Sequence, residues 1–281
     1  MININGTIQE DSKASISINN RGFNYGDAVF ETIRVYNKKV LFWEDHYFRL
    51  MASMRILRMD IPMSFTPEFL ESEIVKLVET SERAIGSCRI KLVVNRKIGG
   101  LYAPQSNDVD YFISVKPLES DIYQLTDTPY VVDLFKDYYV TAGLLATLKT
   151  NNRALNVIAG IYAEENGYNN CLLLNEKKNV VEAINANVFL VKGNVLKTPP
   201  ILDGCLKGVM RKQILDIVQL MPDYEIEETS VSPFELQKAD EIFLTNVISG
   251  IVPITQYRKK IFTSNLAKNL IGKLNLKIRL G

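Results

Sequence analysis

The sequence predicts an α+β protein in two halves, on three observations. Segments with strand-like and helix-like hydrophobic periods are interleaved without regular strand–helix–strand alternation. A polar, proline-bearing stretch, "KPLESDIYQLTDTP", interrupts the pattern before the middle of the chain. The chain has 281 residues, 47% hydrophobic and 23% charged, which is enough for two cores and too apolar for disorder. The expected boundaries are 1–118 for a smaller N-terminal domain, 119–124 for a linker and 125–281 for a larger C-terminal domain.

The first half opens on "ININGTIQE" and "SISINNRGFNYGD", which alternate and carry Asn/Gly turns, so both read as short strands. "AVFETIRVYNKKVLFW" reads as a hairpin turning at Asn37-Lys38-Lys39. The period then changes: Tyr47, Leu50, Met51, Met54 and Leu57 fall at helical spacing over 44–58. Thr66 can cap a second helix and Pro67 suits its first position, with Leu70, Ile74, Leu77 and Val78 as the apolar face. "SCRIKLVVNRK" and "DYFISVKPL" are strands flanking Gly99-Gly100.

In the second half a strand around Tyr130–Phe135 precedes "LLATLKTNNRALN". There an apolar run, read as the end of a buried strand, stops at Lys149, and a helix follows from about Asn152 to Glu165, ending at Gly167. "CLLLNEKKNVVEA" and "NVFLVKGNVLKTP" are strands joined by polar turns. "GVMRKQILDIVQLM" is a helix with Met210, Ile214, Ile217, Val218 and Met221 on one face. "EIFLTN" is a strand and "SNLAKNLIGKLN" a closing helix.

Composition removes several function classes. A net charge of +1 gives no electrostatic reason to expect nucleic acid or an acidic membrane as partner. Cys88, Cys171 and Cys205 form no CxxC pair, so they read as buried hydrophobes in a reducing, cytoplasmic compartment. The N-terminus lacks a signal-peptide pattern, and no run approaches the ~18–20 apolar residues of a membrane span. A single histidine, His46, cannot build a multi-histidine metal site, so no metal is expected. GxSxG, GxxxxGK[ST] and GxGxxG are all missing. An enzyme built this way must work with lysine, tyrosine, carboxylates or a bound cofactor.

Four positions are candidates, each with an ordinary alternative. Lys149 is either a solvated loop lysine or an amine facing a pocket, where desolvation makes it a nucleophile toward an aldehyde. Glu182 is either a turn acid or the carboxylate that favours a protonated ring nitrogen in pyridoxal phosphate. The helix start at Gly208 is either a plain turn or a set of N–H groups for a phosphate. His46 and Arg49, three apart on one helix face, are either a satisfied, partly buried histidine with a surface arginine, the reading favoured in isolation, or a site whose arginine clamps a phosphate.

Taken in order with "RGFNYGDAVFETIRVY", "HYFRL", "LKTNNRALN", "VVEAINANVF", "KTPP", "KGVMR" and "ADEIFLTN…GIVPI", these segments are similar to the fold-type IV pyridoxal-phosphate enzymes, the class IV aminotransferase family. The resemblance runs over nearly the whole chain. It implies a two-domain, D-amino-acid aminotransferase-like fold with a small N-terminal α/β domain and a larger cofactor-binding domain. It implies a homodimer acting on a small amine that carries carboxylates. Lys149 would hold pyridoxal 5'-phosphate and move the proton, and Glu182 would bind the pyridine nitrogen. Arg49 would bind the phosphate with the backbone N–H groups of Val209 and Met210. The turn Asn246-Val247-Ile248 would add backbone donors for phosphate or for a substrate carboxylate.

Within the family, Thr32 stands where branched-chain aminotransferases usually have glycine, and Ala154 where they have tyrosine. "NRKIGGLYAP" lacks the Arg-x-His pair of D-amino-acid aminotransferases. Thr32, "TNNR" and "GVMR" resemble aminodeoxychorismate lyase. On that resemblance the first expectation is a lyase forming 4-aminobenzoate and pyruvate. Thr32 would be catalytic beside Lys149, with Tyr25, Arg34, Arg96 and Tyr102 holding the substrate. The alternative is an amino-acid aminotransferase of branched-chain or D-amino-acid type.

Overall fold

The computed structural model describes residues 1–81, 86–126 and 128–280. Two compact units result. The first is Met1–Ile122 together with Lys149–Asn152, and the second is Tyr123–Leu148 together with Arg153–Gly281.

The first unit contains β1 (Ile2–Ile4), β2 (Thr7–Gln9), α1 (Arg21–Tyr25), β3 (Ala28–Tyr36), β4 (Lys39–Val40), α2 (Trp43–Ile56), α3 (Pro67–Thr80), β5 (Ser87–Arg96) and β6 (Val109–Pro117). Its strands form one antiparallel sheet in the order β2-β1-β6-β5-β3-β4. The alternation of β3 puts Val29, Ile33 and Val35 into a core shared with Leu50, Met51 and Met54 of α2 and Leu70, Ile74 and Leu77 of α3. The β3–β4 turn is made by Asn37 (φ 47°) and Lys38 (φ 64°), a mirror-image turn whose twist matches the strands. Thr66 caps α3 by accepting from Phe69 N at 3.2 Å, with Pro67 at the first helical position.

One expected strand is a helix instead. Asn20 Oδ1 accepts from Phe23 N at 3.0 Å and Gly26 adopts φ 65°, so the Asn and Gly that read as turn residues are the two caps of α1. Residues 149–152, expected inside the second domain, group with the first unit because they pair with β3. Phe30 N donates to Lys149 O at 2.8 Å and Asn151 N to Ala28 O at 3.0 Å, around an antiparallel bridge between Val29 and Thr150.

The second unit contains β7 (Val131–Val140), α4 (Ala154–Glu165), β8 (Asn170–Asn175), β9 (Val180–Ala183), β10 (Asn187–Lys192), β11 (Val195–Thr198), α5 (Val209–Gln219), β12 (Glu225–Glu228), α6 (Pro233–Leu236), β13 (Glu241–Asn246), β14 (Gly250–Ile254), β15 (Gln256–Tyr257), β16 (Lys260–Ile261) and α7 (Asn265–Leu280). They build two five-stranded sheets, β16-β15-β7-β8-β9 and β12-β11-β10-β13-β14. Their inward residues, among them Leu134, Leu172, Val188, Leu190, Ile242 and Leu244, form one core cluster. The run before Lys149 is not a buried strand: Leu144–Thr147 is a single 3₁₀ turn, with Leu144 and Leu145 exposed. The short apolar run carries no period of its own, and the preceding strand β7 has already ended at Val140. The mixed α+β architecture expected from the sequence is the one observed.

Candidate active site

In the first unit, pairing with β3 fixes the backbone of Lys149 and sets its side chain beside the sheet. Its Nζ lies 4.6 Å from the centroid of the Phe30 ring. An ammonium over a ring face is attracted by the ring quadrupole, and the same ring limits water on that side. The Cβ that Gly26 lacks would sit 3.4 Å from Asn152 N, so the end of α1 closes directly against the segment that carries the lysine.

On the core side of β3, Glu31 occupies an otherwise apolar inward register. Its Oε1 accepts from Arg49 Nε at 2.8 Å, its Oε2 accepts from Arg49 Nη2, and His46 Nδ1 lies 2.7 Å from that same Oε2. Burial opposes the charge of Glu31, but Arg49 and His46 outweigh it and hold the carboxyl down at about 2. Burial lowers the His46 pKa; the Glu31 contact offsets this in part, and the charges of Arg49 and Lys149 lower it further. Glu31 therefore stays ionised and can only accept, so the neutral imidazole carries its proton on Nδ1. Nε2 is left buried with no hydrogen-bond partner among the described residues.

This geometry makes acid stability depend on the one histidine. Folded His46 resists a proton that the unfolded chain takes up below its ordinary value of 6.5, so stability falls as pH drops through that value. Glu31 adds a further loss only below about 4.5. Thermal midpoints are expected to fall between pH 6.5 and about 5, and a His46→Asn variant to flatten that limb. An unchanged limb in the variant contradicts the assignment.

In the second unit, Glu182 is buried on β9 and its Oε2 accepts from Leu206 N at 2.8 Å. Nearby, α5 starts at Gly208 with no side chain of the described residues capping it. A Cβ at Gly208 would stand 1.9 Å from Asn187 Oδ1, so glycine is required for that approach. Asn187 is itself tied to Leu206 O at 2.8 Å and lies across from Thr245 in the β10–β13 register, so the two side chains share a face. The Thr245 hydroxyl is buried and has no hydrogen-bond partner among the described residues. An uncapped helix start, a close-packed glycine and an unmatched hydroxyl are what a phosphate needs. Gly208→Ala is expected to displace Asn187 and destabilise the protein by about 1–3 kcal/mol, read by urea denaturation. Unchanged stability contradicts the close packing.

Taken unit by unit, the first offers an amine and a guanidinium that would suit an aldehyde and a phosphate, and the second a buried carboxylate and a helix start that would suit a pyridine nitrogen and a phosphate, the groups that pyridoxal phosphate carries. The turn after β13 fits only in part. Asn246 Oδ1 accepts from Ile248 N at 2.9 Å and Ser249 N at 2.8 Å, so the Ile248 N–H expected to meet a ligand is engaged within the turn. Val247 O accepts from Tyr123 OH at 2.6 Å.

The expected substrate residues divide. Tyr25 and Tyr102 are exposed, with ring centroids 5.7 Å apart, and the Arg21 guanidinium sits 5.0 Å from the Tyr25 ring. Arg21 Nη1 also donates to the carbonyls of Gly99 at 3.1 Å and Leu101 at 2.5 Å, which fixes the loop carrying Tyr102. Arg96 is engaged by the protein's own oxygens. It is buried, donating through Nε to Asp27 at 3.0 Å, through Nη1 to Arg58 O at 3.0 Å and Asn107 Oδ1 at 2.5 Å, and through Nη2 to Leu57 O at 2.6 Å. Arg34 is buried and donates to Ser120 O. Thr32 is buried on β3, opposite Lys91 in register. Glu31 escaped the sequence reading, although a lone acid at an inward position between Val29 and Ile33 is a legible demand for a buried cation.

Fold and donor set together define a class of enzyme. Residues 28–257 match the family Amino-transferase class IV, and the chain belongs to that family. It is 30% identical over 285 aligned positions to a Methanocaldococcus jannaschii protein provisionally named a branched-chain-amino-acid aminotransferase, covering 99% of this chain and 95% of that one. It is 26% identical to the D-alanine aminotransferase of Bacillus licheniformis, over 89% and 86% of the two chains. A Legionella pneumophila structure provisionally named 4-amino-4-deoxychorismate lyase superposes with a TM-score of 0.84 at 26% identity, covering 96% and 97%. The three buried cysteines are unpaired, and burial holds their thiols at about 11 for Cys88 and Cys171 and about 12 for Cys205. Among the described residues no helix is long and apolar enough to cross a membrane, and no acidic, histidine or cysteine group could hold a metal.

Proposed function

We propose that the protein is a pyridoxal-phosphate-dependent aminotransferase for an amino acid with an apolar side chain. The single observation that carries the choice is Arg96: with four of its donors on protein oxygens, it is withdrawn from holding a second substrate carboxylate. The exposed Tyr25, Leu101 and Tyr102, anchored through Arg21 and adjoining the Lys149 segment, suit an apolar side chain. Full-length similarity to a protein named for branched-chain amino acids supports the same reading.

When bound, pyridoxal phosphate supplies an electron sink for the carbon that bears the substrate amine. The chain's own residues do the rest. Arg49, the Val209 and Met210 N–H groups and the Thr245 hydroxyl bind the phosphate. Glu182 holds a proton on the pyridine nitrogen. Lys149 Nζ takes the proton from the substrate α-carbon and delivers it on the next step. Asn246 and Val247 shape the loop after β13 and would add backbone donors.

Lyase chemistry is the second reading, favoured by Thr32, whose hydroxyl side chain stands on the same face of β3 as Phe30, over which Lys149 lies. A panel of L-leucine, L-valine and D-alanine with 2-oxoglutarate or pyruvate, beside 4-amino-4-deoxychorismate, separates them. Oxo-acid formation from an L-amino acid is expected. Release of 4-aminobenzoate and pyruvate, with no amino transfer, overturns the proposal in favour of the lyase. We further infer a homodimer in a reducing, cytoplasmic setting. On α4 only Ala159 and Ala163 are buried, while Val157, Ile158 and Ile161 are exposed, an apolar face that a second copy would cover. Light scattering giving a monomer mass would remove that inference.

A further inference from the structure

We propose that Glu31 and His46 are positioning residues that set the guanidinium of Arg49 for the cofactor phosphate; this rests on the reading of Arg49 given above. Glu31 grips Arg49 through both Nε and Nη2, the bidentate arrangement in which rotation of the guanidinium breaks two charge-assisted bonds together. The edge turned away from Glu31 is thereby held in one plane. His46 is fully buried one turn earlier on the same helix and donates from Nδ1 to Oε2, the oxygen that also accepts from Nη2. The carboxylate is thus fixed from two sides, on a strand whose neighbouring inward residues, Val29 and Ile33, are apolar.

Burying such a group for stability alone has little rationale. Well-packed apolar side chains of similar volume often serve a core as well as a buried ion pair. An orienting role explains why a carboxylate, a guanidinium and a neutral imidazole are all present. The imidazole supplies a donor without a second positive charge, so the net charge of the cluster is zero and the field of Arg49 toward an anion is not reinforced. What the cluster supplies is direction.

The test is equilibrium binding of two probes to the apoprotein, pyridoxal 5'-phosphate and unphosphorylated pyridoxal, followed by absorbance. Glu31→Gln keeps the shape and one acceptor but loses the charge. It is expected to weaken pyridoxal phosphate binding about tenfold and to leave pyridoxal binding within about twofold. His46→Phe is expected to weaken pyridoxal phosphate severalfold, and His46→Asn, whose amide can donate to Glu31, to restore it. In an Arg49→Gln background, Glu31→Gln should cause no further loss. Equal weakening of both probes, or a Glu31→Gln affinity unchanged while Arg49→Gln binds poorly, overturns the positioning role and leaves the phosphate assignment standing. Unchanged affinity in Arg49→Gln itself overturns both.

Discussion

Lys149→Ala is expected to lower turnover by about a thousandfold or more and to abolish the visible absorbance of the bound cofactor. Two functions are removed at once. On the proposed reading the amine that would capture the aldehyde is lost, and so is the base, lying over Phe30, that would move the substrate proton. General-base removal alone is worth about 10²–10⁴-fold. The backbone should be unaffected, because the pairing of this segment with β3 uses the Lys149 carbonyl, not its side chain. Thermal stability within a few degrees of the parent, with turnover collapsed, is the expected pair of readings. Substantial turnover in the variant contradicts the assignment.

Glu182→Gln should come second in size. The amide can still accept from Leu206 N, so the 2.8 Å contact and the fold survive. Its negative charge does not survive, and on the proposed reading the pyridine nitrogen would lose the partner that keeps it protonated. A loss of about a hundredfold in kcat is expected, with cofactor affinity reduced far less. A kcat/KM series with absorbance titration separates the two. A fall in cofactor affinity with kcat unchanged would move Glu182 from the chemistry to simple binding.

These residues were legible in the sequence for different reasons. Helices α2, α3, α5 and α7 were readable because an apolar stripe at helical spacing runs the length of each. α1 was not, since five residues hold no full period and its caps look like turns. β12, β15 and β16 escaped as well; each is short, β12 and β15 pair with strands distant in sequence, and β16 is a two-residue return of β15. Lys149, Glu182 and Arg49 stood out only as an ordered set, because each taken singly has an ordinary alternative. Arg96 shows the opposite failure. The family resemblance made it a candidate for a substrate carboxylate, yet Asp27, Asn107 and two carbonyls that no local pattern reveals engage it. Glu31 was within reach, since the alternation of "AVFETIRV" turns it inward, but its partners lie on the next helix.

The central claim is that Lys149 carries the cofactor. Borohydride reduction of the holoprotein, followed by proteolysis and peptide mass mapping, tests it directly. A single pyridoxyl adduct is expected, on the peptide containing Lys149. An adduct on a different lysine, or none at all from a protein that absorbs as a pyridoxal phosphate enzyme, would contradict it.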